Sequence, residues 1–335
     1  MTTLRSAWPR ERPRRRPASR GREIQARGPW TLALARLRAD RLAMISVGVI
    51  LLMLVFALTA PLWAAWTGHT YHSTYPATGL DESGLPAGPS GEFWLGADSV
   101  GRDVLVRAAY GARVSLLVGL ASTALATFFG VLAGVSAGFL GGRVDEVLAR
   151  GVDVVLSFPY LLVAIAIAVT FGASVPLTIL VIAFFMFAAM ARVVRGQVMS
   201  IKEKEYIEAA RSLGAGKVRI MLVDVLPNLV APVTVMASLL IPQAITFEAT
   251  LSFLGAGVDP STPSWGGMLN EAQEYYQTAW WFLLVPAGLL LATTFAFNIL
   301  GDGIRDAFDP RMEPPVCGRR RRLRRRRGRG KAAKR

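Results

Sequence analysis

Chemistry by side chains needs clusters of particular residue types, and this sequence holds few. The nearest approach to a nucleotide cradle is Gly216-Lys217, but the pattern G-x-x-x-x-G-K-[ST] fails twice: Arg211 stands where its first glycine belongs, and Val218 follows the lysine. No GxSxG, HExxH or CxxC occurs. His69 and His72 are too few for a metal set, and HTYH reads as part of a solvated polar loop. The one cysteine, Cys317, can form no internal disulfide. No catalytic residue, metal or cofactor is therefore expected, and the chain does not read as an enzyme. What remains is contact chemistry in a charged island, Glu205 to Pro227, between two long apolar runs. Ile201, Tyr206, Ala209, Ala210 and Leu213 form an apolar stripe at helical spacing, with Glu205, Glu208 and Arg211 on the other side. Gly214 and Gly216 end that helix. A second short helix fits Lys217 to Leu226, where Pro227 stops or restarts the chain. Ala209 and Ala210 would let another protein come close.

The order Glu208-Ala209-Ala210, Gly214 and then Leu226-Pro227 resembles the EAA loop of permease subunits of ATP-driven importers. LGADSVGRDVL and YGARVSLLVG near residues 94–118, LSFLGAGVDPSTPSWGGML at 251–269 and the closing GDGIRDAFDPR are similar to the dipeptide and oligopeptide branch of that family. The resemblance runs from residue 30 to 311. It implies an all-α, polytopic membrane protein of six transmembrane helices with the type I ABC importer permease fold. It also implies a sister permease subunit, two ABC ATPase subunits that each grip one EAA loop, and an extracytoplasmic solute-binding protein. On it, Glu208, Ala209, Ala210, Gly214, Leu226 and Pro227 couple the chain to the ATPase. Asp224 departs from the family, which usually has an apolar residue or histidine there.

Composition agrees with a membrane protein: 53% of residues are hydrophobic and the mean hydropathy is +0.40. The net charge of +15 sits in the tails. Residues 1–41 carry +9 and residues 305–335 carry +11, while 42–304 carry −5. The first tail reads as a disordered flank attracted to anionic lipid rather than a nucleic-acid arm, and the last as disordered after about residue 315. Between them, apolar runs predict spans at Leu42–Trp66, Val114–Leu140, Val154–Phe171, Leu177–Ala191, Leu229–Phe247 and Trp280–Leu300. Arg192 and Arg195 are expected to stop the fourth, and residues 141–153 to form a short charged loop. Pro232 and Pro242 interrupt the fifth, and Glu248 is placed at the far interface, or less readily on the solute path.

Gly130, Gly134 and Gly138 repeat every four residues and bare one face of the second span for helix packing. Polar outer loops are expected at 67–113 and 248–279. Inner segments would hold 35 Lys and Arg against Arg102, Arg107 and Arg113 outside, which places both termini in the cytoplasm; the resemblance implies that the membrane is a bacterial inner membrane. An ion-coupled secondary transporter would usually carry ionisable groups within its spans, and the six runs contain none. A non-transporting assembly protein is the other alternative.

Overall fold

The computed structural model describes residues 29–308. The Arg-rich stretches of both tails, with Cys317, lie outside it. Among the described residues the structure is helical, with two isolated antiparallel bridges, Leu80 with Pro86 and Ala97 with Asp103, and no strand. The helices are α1 Pro29–Ala39, α2 Arg41–Leu58, α3 Ala60–Thr67, the single turn α4 Pro76–Gly79, α5 Val104–Leu140, α6 Gly142–Ser157, α7 Tyr160–Phe171, α8 Val175–Lys202 and α9 Glu205–Ser212. They are followed by α10 Lys217–Phe253, α11 Trp265–Ala272 and α12 Trp280–Phe308. Among the described residues five helices are long and apolar enough to cross a membrane, and a sixth crossing exists if the bent pair α6–α7 is taken as one.

That bent pair corrects the third span. The expected run breaks at Phe158-Pro159, and α6 meets α7 at 82°. Proline drives the preceding residue out of the helical region, and Phe158 sits at φ −80, ψ 140. The 12 residues of α7 cover roughly 18 Å, short of the hydrocarbon thickness. The stretch expected as a charged loop is most of helix α6. Its acids explain why Arg192 and Arg195 do not stop α8: Arg192 pairs with Asp153 at 2.6 Å and Arg195 pairs with Asp145 through both oxygens. The first span is likewise broken at Thr59, just before Pro61, whose missing N–H interrupts the ladder. Pro232 and Pro242, by contrast, stay inside α10.

Core packing follows the bare face of α5. The helix runs parallel to α8, Gly130 facing Met190, Gly134 facing Ala191 and Val194, and Gly138 facing Val198. Helix α10 packs on α5 and α12, and α12 on α2. The bundle therefore has two ends, one carrying the 68–103 loop and α11, the other carrying α9.

Candidate functional site

At the α9 end the island is a helix, a turn and a second helix, and its seating is set by residues that the periodicity did not single out. Ile207 and Ile220 are buried in a cluster with Val135, Phe139, Val198, Ile201 and Leu229. Arg211 lies 5.9 Å over the Phe139 ring. The expected stripe is corrected accordingly: Ile201 is buried, but Tyr206 is 42% and Leu213 88% exposed, and Ala209 is exposed as well. Val218, Leu222 and Val223 are also exposed. Apolar side chains on this surface project away from the bundle.

The turn has a definite geometry. Gly214 N–H donates to the Arg211 carbonyl at 2.9 Å and Ala215 N–H to the Ala210 carbonyl at 3.1 Å, closing the carbonyls at the end of α9 in a Schellman arrangement. Gly214 has φ +82, where a side chain is opposed, while Gly216 has φ −67 and caps the next helix. Pro227 does not end that helix. A π-helical turn at Ile220–Val225 precedes it, with Leu226 N–H reaching back to the Met221 carbonyl, so the ladder is already shifted where the proline supplies no donor. Leu226, Pro227 and Glu208 are exposed, Ala210 is half-buried, and Asp224 is half-buried with its carbonyl accepting from Asn228 Nδ2 at 2.6 Å.

The opposite end is sealed by polar groups. His69 is not a solvated loop residue: it is 5% exposed, stacked on Phe93 at 4.7 Å, and its Nδ1 lies 2.8 Å from Asp103 Oδ2. Asp103 in turn caps α5 by accepting from Leu105 and Val106 N–H. Glu248 is sealed inside the chain rather than open to solvent. It is fully buried, accepting 2.8 Å bonds from Ser115 Oγ and Ser252 Oγ. Ser115 Oγ also accepts from Trp265 N–H at 3.4 Å, so Glu248 ties α5, α10 and α11 together. The Ser252 partner could have been read from its spacing of four; Ser115, distant in sequence, could not.

Beside it lies a four-membered ionic cluster. Arg102 contacts Asp98 and Glu271, each at 2.6 Å. Arg107 contacts the same two carboxylates at 3.0 and 2.9 Å. Burial, with the nearby Asp98 charge, outweighs Arg102 and pushes Glu271 up to about 7. A carboxyl raised in the folded state holds its proton where the unfolded chain has lost it. Its contribution to stability is complete below the usual glutamate value and lost as pH rises through about 7. The span from 4.5 to about 7 corresponds to roughly 3 kcal/mol at most. The thermal midpoint of the detergent-solubilised protein should fall between pH 5 and 8, and Glu271→Gln should flatten that dependence. An unchanged slope in the variant would assign the dependence elsewhere.

Comparison with known proteins bears on both ends. A family described as "binding-protein-dependent transport system inner membrane component" matches residues 130–314, and one described as "N-terminal TM domain of oligopeptide transport permease C" matches residues 28–79. The chain is 38% identical over 291 residues to a dipeptide transport system permease protein of Alkalihalophilus pseudofirmus, covering 87% of this chain and 93% of that one. It is 40% identical over 289 residues to an oligopeptide transport system permease protein of Escherichia coli, covering 86% and 93%. Among solved structures, a chain of the MetNI methionine ABC transporter in an inward-facing conformation aligns with TM-score 0.51 at 19% identity, over 62% of this chain and 96% of that one.

Proposed function

Because the chain belongs to the family of binding-protein-dependent transport system inner membrane components, in its dipeptide and oligopeptide branch, we propose that the island at 205–227 couples it to a separate ATPase. The chain is the membrane-embedded permease subunit of an ATP-driven importer with the type I fold; it is not itself an enzyme, and ATP hydrolysis belongs to other subunits. The ion-coupled and non-transporting alternatives give way to this assignment.

One observation carries the coupling role. Helix α9 and the first turns of α10 are rooted by Ile207 and Ile220, yet they turn Leu213, Val218, Leu222 and Val223 away from the bundle. Exposed apolar side chains on a rigidly seated element suit a protein partner. Glu208, Ala209, Ala210, Gly214, Leu226 and Pro227 then act as the lever of alternating access rather than as a chemical site. We assign two ATPase subunits, a sister permease and an extracytoplasmic binding protein as partners, and a bacterial inner membrane with both termini in the cytoplasm. In that orientation the α9 end faces ATP, and the 68–103 loop and α11 face the binding protein.

Two measurements test this. The affinity-tagged chain, solubilised from its native membrane, should bring down an ATPase subunit. A reporter fused after Ser83 should be active outside the cell and one after Lys204 inside. Recovery of an active transporter with no ATPase chain would overturn the coupling role, and two reporters on one side would overturn the topology.

A further inference from the structure

Along one side of the bundle α8, α10 and α12 leave a groove that holds two cavities. One, of about 460 Å³, is lined by Tyr160, Gln243, Thr246, Phe247, Thr250 and Asn298 among others. The other, of about 550 Å³ and nearer the α9 end, includes Gln197, Ser200, Lys204, Asn228 and Arg305.

The first cavity is the informative one. Gln243 lies ten residues before the end of α10, roughly 15 Å along the helix and hence near the middle of a bilayer. Gln243 and Thr246 are exposed, and Thr250 continues their face at helical spacing. The threonine hydroxyls donate to carbonyls four residues back, at 2.8 Å each, and Asn298 Nδ2 donates to the Thr294 carbonyl at 2.9 Å. Their oxygens remain available as acceptors. The Gln243 carboxamide has no hydrogen-bond partner among the described residues. An unpaired primary amide facing hydrocarbon costs several kcal/mol, so this face meets something polar. No ionisable side chain other than the Tyr160 phenol lines the cavity, because the one nearby carboxylate, Glu248, is turned inward onto Ser115 and Ser252. Tyr160 and Phe247, with ring centroids 4.7 Å apart, supply its apolar wall.

We propose that this cavity is a wall of the solute passage, and that Gln243, with Asn298, Thr246 and Thr250, meets the peptide backbone through neutral hydrogen bonds, so that this mid-membrane section of the passage does not select on side-chain charge. A carboxamide presents one acceptor and two donors, complementary to a peptide group that presents both. Charged groups in this section, away from either mouth, would bind one class of peptide too well to release it. The inference rests on the permease assignment above and adds to it the residues and the selectivity.

The test uses the complete transporter with its binding protein and ATPase, in vesicles, on a Cys317→Ser background. Gln243→Cys should react with a charged, membrane-impermeant thiol reagent in at least one of the ATP-bound and ATP-free states. Leu52→Cys, from an exposed apolar position on α2, should stay unreactive in both. Uptake is then compared for tripeptides with a lysine, a glutamate or an alanine at the centre, each variant relative to wild type, which cancels the preference of the binding protein. Gln243→Lys should slow the lysine peptide about tenfold relative to the glutamate peptide, and Gln243→Glu should do the reverse, the size expected of like charges within a few ångströms in a wet passage. If wild type imports peptide but Gln243→Cys stays silent in both states, the face is covered by lipid or another subunit and the inference fails alone. Equal slowing of all three peptides by both charged variants would also overturn it. Absence of ATP-dependent peptide uptake by wild type would instead remove the permease assignment beneath it.

Discussion

Gly134→Leu should leave almost no folded protein in the membrane. A Cβ at Gly134 would stand 2.7 Å from the Ala191 carbonyl oxygen and 2.7 Å from Val194 Cβ, and three further carbons of a leucine have nowhere to go. The neighbours on either side are as tight: Gly130 would meet Met190 Cβ at 2.6 Å and Gly138 the Arg195 carbonyl oxygen at 2.9 Å. Two of those obstacles are backbone, so no rotamer change relieves them. Helix α8 cannot draw back either. Arg195 holds Asp145 of α6, and Lys202 Nζ donates to the Gly138 carbonyl at 3.0 Å. Overpacking a close-packed core costs about 1–3 kcal/mol where side chains can adjust, and more where backbone must move. Gly196→Ala, on α8 itself, is the matched control: nothing lies within 4 Å of a Cβ there, so the change should be neutral or stabilise by up to about 1 kcal/mol. Both are read by fluorescence-detected size exclusion after heating the solubilised protein. A wild-type midpoint for Gly134→Leu would mean that α5 and α8 are not pressed together as described.

This pair of helices also marks what a sequence makes legible. A period of four in glycine is a local signal, as is a glycine at a helix end, and the small face of α5 and the turn at Gly214 can be read without a structure. Signals that depend on what lies opposite do not carry through. Pro159 breaks a helix, whereas Pro227, Pro232 and Pro242 sit within one. The residue type is the same; the π-turn before Pro227 and the packing of α10 on α5 and α12 make the difference. Arg192 and Arg195 look like a membrane boundary until Asp153 and Asp145 appear beside them on α6. His69 looks like a solvated loop residue, and the burial of Glu248 goes unseen, because their partners, Asp103 and Ser115, are distant in the chain.

The island inverts the usual reading of periodicity. Leu213 and Ile207 are equally apolar in a helical pattern, yet one is 88% exposed and the other wholly buried. Hydrophobic residues that face outward cannot be told by type from those that root the element.

The second large effect belongs to Glu208 and Gly214. Glu208 is exposed and makes no ion pair among the described residues, so none of these requires its charge. Glu208→Arg should therefore insert and fold as wild type does. If its carboxylate meets a cationic group on the ATPase, reversing the charge in a closed interface removes a few kcal/mol of coupling. Uptake and binding-protein-stimulated ATP hydrolysis should both fall at least roughly tenfold at matched membrane abundance. Gly214→Val acts by a different route. No atom lies within 4 Å of a Cβ at that position, so there is no clash, but φ +82 opposes a β-branched residue by about 1 kcal/mol or more. Relieving that strain breaks the bonds from Gly214 to Arg211 and from Ala215 to Ala210, and with them the angle between α9 and α10. The variant should keep its span packing, because Ile220 onward is held by the core, while Leu213 and Glu208 lose their placement relative to Val218 and Leu222. Uptake should fall as for Glu208→Arg, and the ATPase should co-purify less well. Glu208→Arg with wild-type uptake and wild-type stimulated hydrolysis would show that the force of ATP closure enters the bundle somewhere other than α9.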